Sequence, residues 1–382
     1  MARHEKEKAF QKHICDYLIN NHKYKKLNQA IDIANDECYI AKELLLEFIS
    51  STQETKLKAL QKDYGKDSGD EIISALKDEL NIKPLWKIMR DGLSVRKHEF
   101  KLFFPKPRSN TTDKSQKLYE QNSIKIKDEL VIKGDKRIDI VLYLNGLPII
   151  TMELKHEDAG QYLEDAVLQY TKRNHKDKIY QLPFLHIALD TSEVKVATNP
   201  NSESNFLWFN QDLENKSLTD GEYPVEYIYK EVLSFDAILS YLSFYLVYVP
   251  KSEKNEAFSI FPRYHQIRST NRLYDDILNN FKTTNSIAGK YLINHSAGSG
   301  KTLTMSWTAD KLHSLYKDSE NKAFDMIFLL TDRKSLDKNI SDELGNFTHL
   351  KDVVKYAKNG ENLKKLIQEK SSIIVSTAQK FN

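Results

Sequence analysis

A chain of 382 residues has room for two or three domains, each with a core of its own. Its 57 basic residues nearly balance 54 acidic ones, leaving +3, so no whole-molecule field attracts nucleic acid and any such surface is a local patch. Two cysteines, Cys15 and Cys38, exclude a disulfide framework and suit a reducing compartment. The opening "MARHEKEKAF" is too polar for a signal peptide, and the longest apolar run, "YLSFYLVYVP", is about half of a membrane span. The expectation is a soluble, cytoplasmic protein without a membrane partner.

In chain order, residues 5–90 read as helical, with stripes such as "FQKHICDYL" and "EIISALKDELNIKPLWKIM". From 95 to 155 the pattern becomes short strands: "HEFKLFF", "SIKIKDELVI", "RIDIVLYL" and "PIITMEL". The last two are joined by "NGLP", whose Asn145-Gly146 is a hairpin signal. That hairpin brings Asp139 beside Glu153, and Lys155, two residues further along the strand, shares a face with Glu153. Two carboxylates can hold Mg²⁺, while a lysine can orient an attacking water and offset phosphate charge. Spacing of this kind also arises in a surface ion-pair cluster; placement between apolar strands strengthens the nuclease reading but leaves both open at this point.

A helix follows over 160–175, "QYLEDAVLQYTKRN". Gln169 could approach the metal site or DNA, with Tyr170, Lys172 and Arg173 near the phosphodiester backbone. Glu7, on the first helix, is a candidate further acid, although a solvated helix carboxylate is its plainer reading. Basic stretches at 94–108 and 170–178 are candidate DNA patches or solvated faces.

"FLHIALD" and "EVKVATN" form another strand pair, and the polar stretch "VPKSEKNEAF" places a domain boundary near 255. Beyond it "YLIN" reads as a strand, "HSAGSGK" as a turn and "TLTMSWTADKLHSLY" as a helix, which is the context a phosphate-binding loop needs. The glycines let backbone N–H groups approach phosphate oxygens; Lys301 reaches the β- and γ-phosphates and Thr302 holds Mg²⁺. His295 stands where the commonest pattern has a first glycine, an omission frequent in helicase-like motors. Upstream Gln266 is an amide suited to an adenine edge. Downstream "MIFLLTDRKSLDKNI" and "IIVSTAQKF" alternate strand and helix, implying a parallel sheet.

Taken together, "RIDIVLYLNGLPIITMELKH", "EDAVLQYTKRN", "PRYHQ", "HSAGSGKT" and "STAQKF" resemble the restriction (R, motor-nuclease) subunit of type I restriction-modification enzymes, in its N-terminal portion. The resemblance implies an α/β chain: a PD-(D/E)xK endonuclease domain over 1–255, then part of a RecA-like superfamily 2 helicase lobe over 256–382. It implies a metal-binding catalytic set of Asp139, Glu153 and Lys155 with Gln169. It also implies adenine recognition by Gln266, and ATP-phosphate binding by Gly298, Ser299, Gly300, Lys301 and Thr302. Implied cofactors are Mg²⁺ and ATP, with S-adenosylmethionine entering only through the assembled complex. Implied partners are double-stranded DNA and the modification (methyltransferase) and specificity subunits. The family's Gln-x-x-x-Tyr motif is altered, because position 173 is arginine and the tyrosine is adjacent, at 170. The sequence stops at Asn382, before any Asp-Glu-x-His segment, so by itself this chain is not expected to be a competent motor. The rival expectations are an ATP-dependent helicase-nuclease of another defence or repair system, and a non-catalytic DNA- and nucleotide-binding fragment.

Overall fold

The computed structural model describes residues 3–33, 36–107, 113–134, 136–211, 223–253, 256–284, 289–316, 321–331 and 353–381. The chain divides into two compact units, one of residues 1–106 with 113–243 and one of 107–112 with 244–382. The architecture is mixed α/β in each.

In the first unit the helices are α1 (Arg3–His22), α2 (Lys42–Tyr64), α3 (Ser68–Glu79), α4 (Leu85–Asp91), α5 (Asp113–Glu120), α6 (Leu163–Thr171) and α7 (Phe235–Ser240). The strands are β1 (Lys25–Lys26), β2 (Leu93–Val95), β3 (His98–Phe100), β4 (Ile124–Ile132), β5 (Lys136–Leu144), β6 (Leu147–Leu154), β7 (Leu185–Leu189), β8 (Val194–Ala197) and β9 (Leu207–Trp208). Seven of them form a sheet in the order β1-β4-β5-β6-β7-β8-β9, while β2 and β3 pair apart. Every residue of β6 and β7 is buried, which makes these two strands the floor of the core. They run parallel, and the connection a parallel pair requires is supplied by α6.

The β5–β6 hairpin forms where the Asn-Gly pair places it, with φ of 50° at Asn145 and 86° at Gly146. The turn is also packed: a Cβ on Gly146 would meet the Ala41 carbonyl oxygen at 2.5 Å and the Leu45 nitrogen at 2.9 Å. Asn145 is buried, and its amide donates to the Leu102 carbonyl at 2.9 Å while its oxygen accepts from the Ser123 N–H at 2.8 Å. Within the stretch read as helical, Lys23 adopts φ of 60° and ends α1, so that β1 can join the sheet edge beside β4.

The second unit contains β10 (Val247–Val249), β11 (Phe258–Ile260), α8 (Tyr264–Thr284), α9 (Lys301–His313), β12 (Ile327–Thr331), β13 (Val354–Tyr356), α10 (Gly360–Gln368) and β14 (Ile373–Thr377). Strands β12, β14 and β13 lie in that order and all run parallel, as the alternation of strands and helices predicts. The unit starts earlier than the boundary read from the polar stretch near 255, a position outside the described residues. The reason is that β10 and β11 pair antiparallel across that stretch, and the Trp307 indole N–H donates to the Tyr245 carbonyl at 3.0 Å. One expected strand does not form. "YLIN" (291–294) pairs with no described strand, and Leu292 is 93% exposed. The "RKSLDKNI" segment lies outside the described residues. No described helix is long and apolar enough to cross a membrane.

Candidate active site

Pairing of Ile140 with Met152 across the β5–β6 hairpin sets Asp139 next to Glu153. The Leu154 N–H donates to Asp139 Oδ2 at 2.6 Å, tying the first carboxylate to the strand that carries the second. Glu153 is fully buried, and both of its oxygens are engaged from α6 and the residues just after it. Gln169 Nε2 donates to Oε2 at 2.5 Å, and Arg173 Nη2 lies 3.3 Å from Oε1. Gln169 and Arg173 are one turn apart and so share a face. Lys155 is buried, donates to the Leu154 carbonyl at 2.9 Å and lies 3.7 Å from Glu7 Oε2. α1 closes the remaining side, where Gln11 donates to the Asp139 carbonyl at 2.6 Å.

Burial pushes Asp139 up to about 6; the Leu154 N–H and the Lys155 ammonium oppose this, and Glu7 and Glu129 reinforce it. Glu153 is held well above the usual carboxylate range, first by burial and then by Asp139, against the pull of Arg173 and Lys155. Two crowded carboxylates in a poorly hydrated place are a site that gains by capturing a cation, and hard oxygen donors suit Mg²⁺. Among the described residues no three His, Cys, Asp or Glu side chains are grouped to hold a metal. An ion here would therefore complete its shell with water and phosphate oxygens, a common habit of Mg²⁺.

In the second unit α9 begins at Lys301 behind two glycines in the left-handed region, Gly298 at φ 75° and Gly300 at φ 78°. A helix N-terminus with a glycine-rich entry offers free N–H groups to an anion. Lys301 Nζ donates to the carbonyls of His295 at 3.0 Å and Ser296 at 2.8 Å, folding over the loop. Thr302 lies in the first helical turn, partly buried, and Ser299 is buried. The His265 and His295 rings meet edge-on with centroids 4.8 Å apart, and burial followed by His265 and Lys301 lowers the His295 pKa. Gln266 is buried, with Nε2 donating to the carbonyls of Ser299 at 3.2 Å and Gly300 at 3.0 Å. Its Oε1 accepts from the Arg263 N–H at 2.8 Å.

These two clusters coincide with two family matches. The family described as type I restriction enzyme R protein N terminus matches residues 4–205, more than half of the chain, and that described as SWI2/SNF2 ATPase matches 265–382. The chain belongs to the type I restriction enzyme R protein family. Type I restriction enzyme endonuclease subunits are similar along it: one from Staphylococcus saprophyticus at 26% identity, covering 69% of this chain and 26% of that one. The HindI endonuclease subunit of Haemophilus influenzae is 26% identical over 65% of this chain and 24% of its own length. One from Staphylococcus aureus strain COL is 24% identical over 96% of this chain and 37% of its own. The chain thus spans a quarter to somewhat over a third of these relatives' lengths.

Within this R protein the acid cluster lies wholly inside the first match and the phosphate loop inside the second. Asp139, Glu153, Lys155 and Gln169 come together, as do Gln266 and residues 298–302. Three expectations need correction. Tyr170 does not face DNA: it is fully buried, with its hydroxyl 2.8 Å from Thr151 Oγ1. Successive helix residues are rotated by about 100°, so the rotation that aims Gln169 at Glu153 sends Tyr170 into the core. Arg173 turns inward to Glu153, its side chain only 10% exposed, leaving Lys172 as the exposed member of the three. Glu7 is taken up by Lys155 and joins no three-acid group. Gln266 has both ends of its amide bonded to its own chain, where it braces the loop. The sequence reading missed Thr151 and His186, whose Nδ1 lies 2.7 Å from Thr151 Oγ1. His186 is fully buried and burial lowers it to about 3, so it stays neutral beneath the cluster. Thr151 precedes Glu153 by two and so shares its face, which was the available signal.

Proposed function

We propose that this chain is the nuclease and nucleotide-binding portion of a type I restriction endonuclease R subunit, cutting unmethylated foreign duplex DNA away from the recognition sequence in the cytoplasm. The first unit is read as a PD-(D/E)xK endonuclease domain and the second as part of a first RecA-like lobe. The observation that carries the reading is the pair of half-buried Asp139 and fully buried Glu153, joined through Leu154, with Gln169 bonded to Glu153 and the Lys155 charge acting on both acids.

Asp139 and Glu153 would hold Mg²⁺, which supplies charge neutralisation and a more acidic bound water. Lys155 is placed to orient the attacking water and to offset charge on the phosphate as one P–O bond forms and another breaks. Gln169 keeps Glu153 turned toward Asp139. In the second unit Gly298, Ser299, Gly300 and Lys301 would cradle ATP phosphates, with Thr302 on the accompanying Mg²⁺ and Gln266 bracing the loop from beneath. ATP serves to deliver DNA to the carboxylates and takes no part in cutting. Modification and specificity subunits would supply sequence reading and methylation sensing, with S-adenosylmethionine bound through them.

The test is Glu153→Ala in the full-length subunit assembled with those partners. DNA cleavage should fall by at least about a thousandfold while ATP hydrolysis stays at the parent rate. Cleavage at the parent rate removes the nuclease assignment.

A further inference from the structure

Arg173 stands against the carboxylate that the nuclease reading assigns to a metal. Glu153 is fully buried, so whenever its carboxyl is ionised, as it must be to hold a cation, the charge needs compensation from inside the protein. Among the described residues two side chains hydrogen-bond to it, neutral Gln169 on Oε2 and the Arg173 guanidinium on Oε1, while Lys155 acts on it only through its charge.

The Arg173 contact is built loosely. It is a single approach at 3.3 Å, whereas arginine and a carboxylate at their tightest share two parallel bonds. The same Nη2 makes a shorter bond, 2.6 Å, to the Arg137 carbonyl, which anchors the guanidinium independently of Glu153. Arg173 Nε is buried, and among the described residues no acceptor reaches it. A guanidinium with one donor unspent and its best bond elsewhere can turn away from Glu153 at small cost.

A carboxylate has about four lone-pair directions, so a metal and Arg173 do not exclude each other by geometry alone. Charge separates them. A dication on Glu153 would sit a few ångströms from the guanidinium in a site with little water to screen the repulsion. We infer that Arg173 is the resident counter-ion of Glu153, which a divalent cation displaces, so that metal binding and the Arg173–Glu153 pair are alternatives. This rests on the nuclease reading of the cluster. Displacement leaves Arg173 anchored at the Arg137 carbonyl, beside the cluster and with its charge free for a phosphate.

Calorimetric titration of the 382-residue chain with Mg²⁺ tests it, comparing the parent with Arg173→Met, Arg173→Lys and Asp139→Asn. Removing the competing charge should tighten Mg²⁺ binding about three- to tenfold in Arg173→Met, with Arg173→Lys close to the parent. In EDTA, Arg173→Met should melt below the parent, and saturating Mg²⁺ should close that gap. The double variant Glu153→Gln/Arg173→Met should also regain the lost stability, because no uncompensated charge remains. Unchanged or weaker Mg²⁺ binding in Arg173→Met overturns the inference. So does an EDTA instability that neither Mg²⁺ nor Glu153→Gln repairs. If Asp139→Asn leaves the parent's Mg²⁺ binding intact, the ion lies elsewhere, and the nuclease reading falls together with the inference.

Discussion

Asp139 shows what this site costs the fold. Its carboxyl is raised to about 6 from an ordinary 3.8, so between roughly pH 4 and pH 6 the folded chain holds a proton that the unfolded chain has released. Stability without metal should therefore fall as pH rises through that window, and the full penalty should stand above pH 6. Glu153, raised for the same reasons, acts in the same direction. Asp139→Asn keeps an oxygen to accept the Leu154 N–H and removes the charge. It should stabilise the chain in EDTA by about 1–2 kcal/mol at pH 7.5, because the half-buried carboxylate keeps some contact with water, and by close to nothing at pH 4. Urea unfolding at the two pH values checks this, and equal gains at both would refute the electrostatic account. The gain should vanish in Mg²⁺, because the ion stabilises only the parent.

Among the elements, the β5–β6 hairpin was the most legible. Asn-Gly between two apolar runs announces the turn, and the turn determines which residue faces which. Its tolerance is low for a second reason, the backbone of Ala41 and Leu45 closing over Gly146. Gly146→Ala should cost about 2–4 kcal/mol, through strain at positive φ together with a clash against backbone that cannot give. Equilibrium unfolding measures it; a cost below 1 kcal/mol would mean that α2 yields to the turn. "YLIN" misled because a short apolar run reads the same whether or not a neighbouring strand exists to pair with it. The three-residue β13 lies in a stretch too short and polar to have been expected.

For the whole molecule, the two families matched along the chain fall on different compact units, with the acids in one and the phosphate loop in the other. Lys301→Ala in the full-length subunit should abolish ATP hydrolysis and ATP-dependent cleavage, lowering both by at least about a hundredfold. Mg²⁺ binding that depends on Asp139 should be unaffected. Persistent ATP hydrolysis would withdraw the phosphate-loop assignment. The boundary between the units was misjudged from the polar stretch near 255, because punctuation of that kind marks a hairpin connection as readily as a linker. Pairing of β10 with β11 decided between them.

What the residues by themselves determined was local and periodic. The Gly-Ser-Gly-Lys-Thr string, the alternation of β4, the Asn-Gly turn and the two-residue step from Glu153 to Lys155 each follow from backbone geometry within a few positions. Tertiary structure alone decided the partners. Whether Gln169 or Tyr170 meets Glu153 depends on the rotation at which α6 packs on β6. Whether Glu7 joins the acids or neutralises Lys155 depends on how α1 crosses the sheet. The second choice joins groups far apart in the chain, and both are settled by packing and by the need of each buried charge for a partner, neither of which is written in the spacing of any motif.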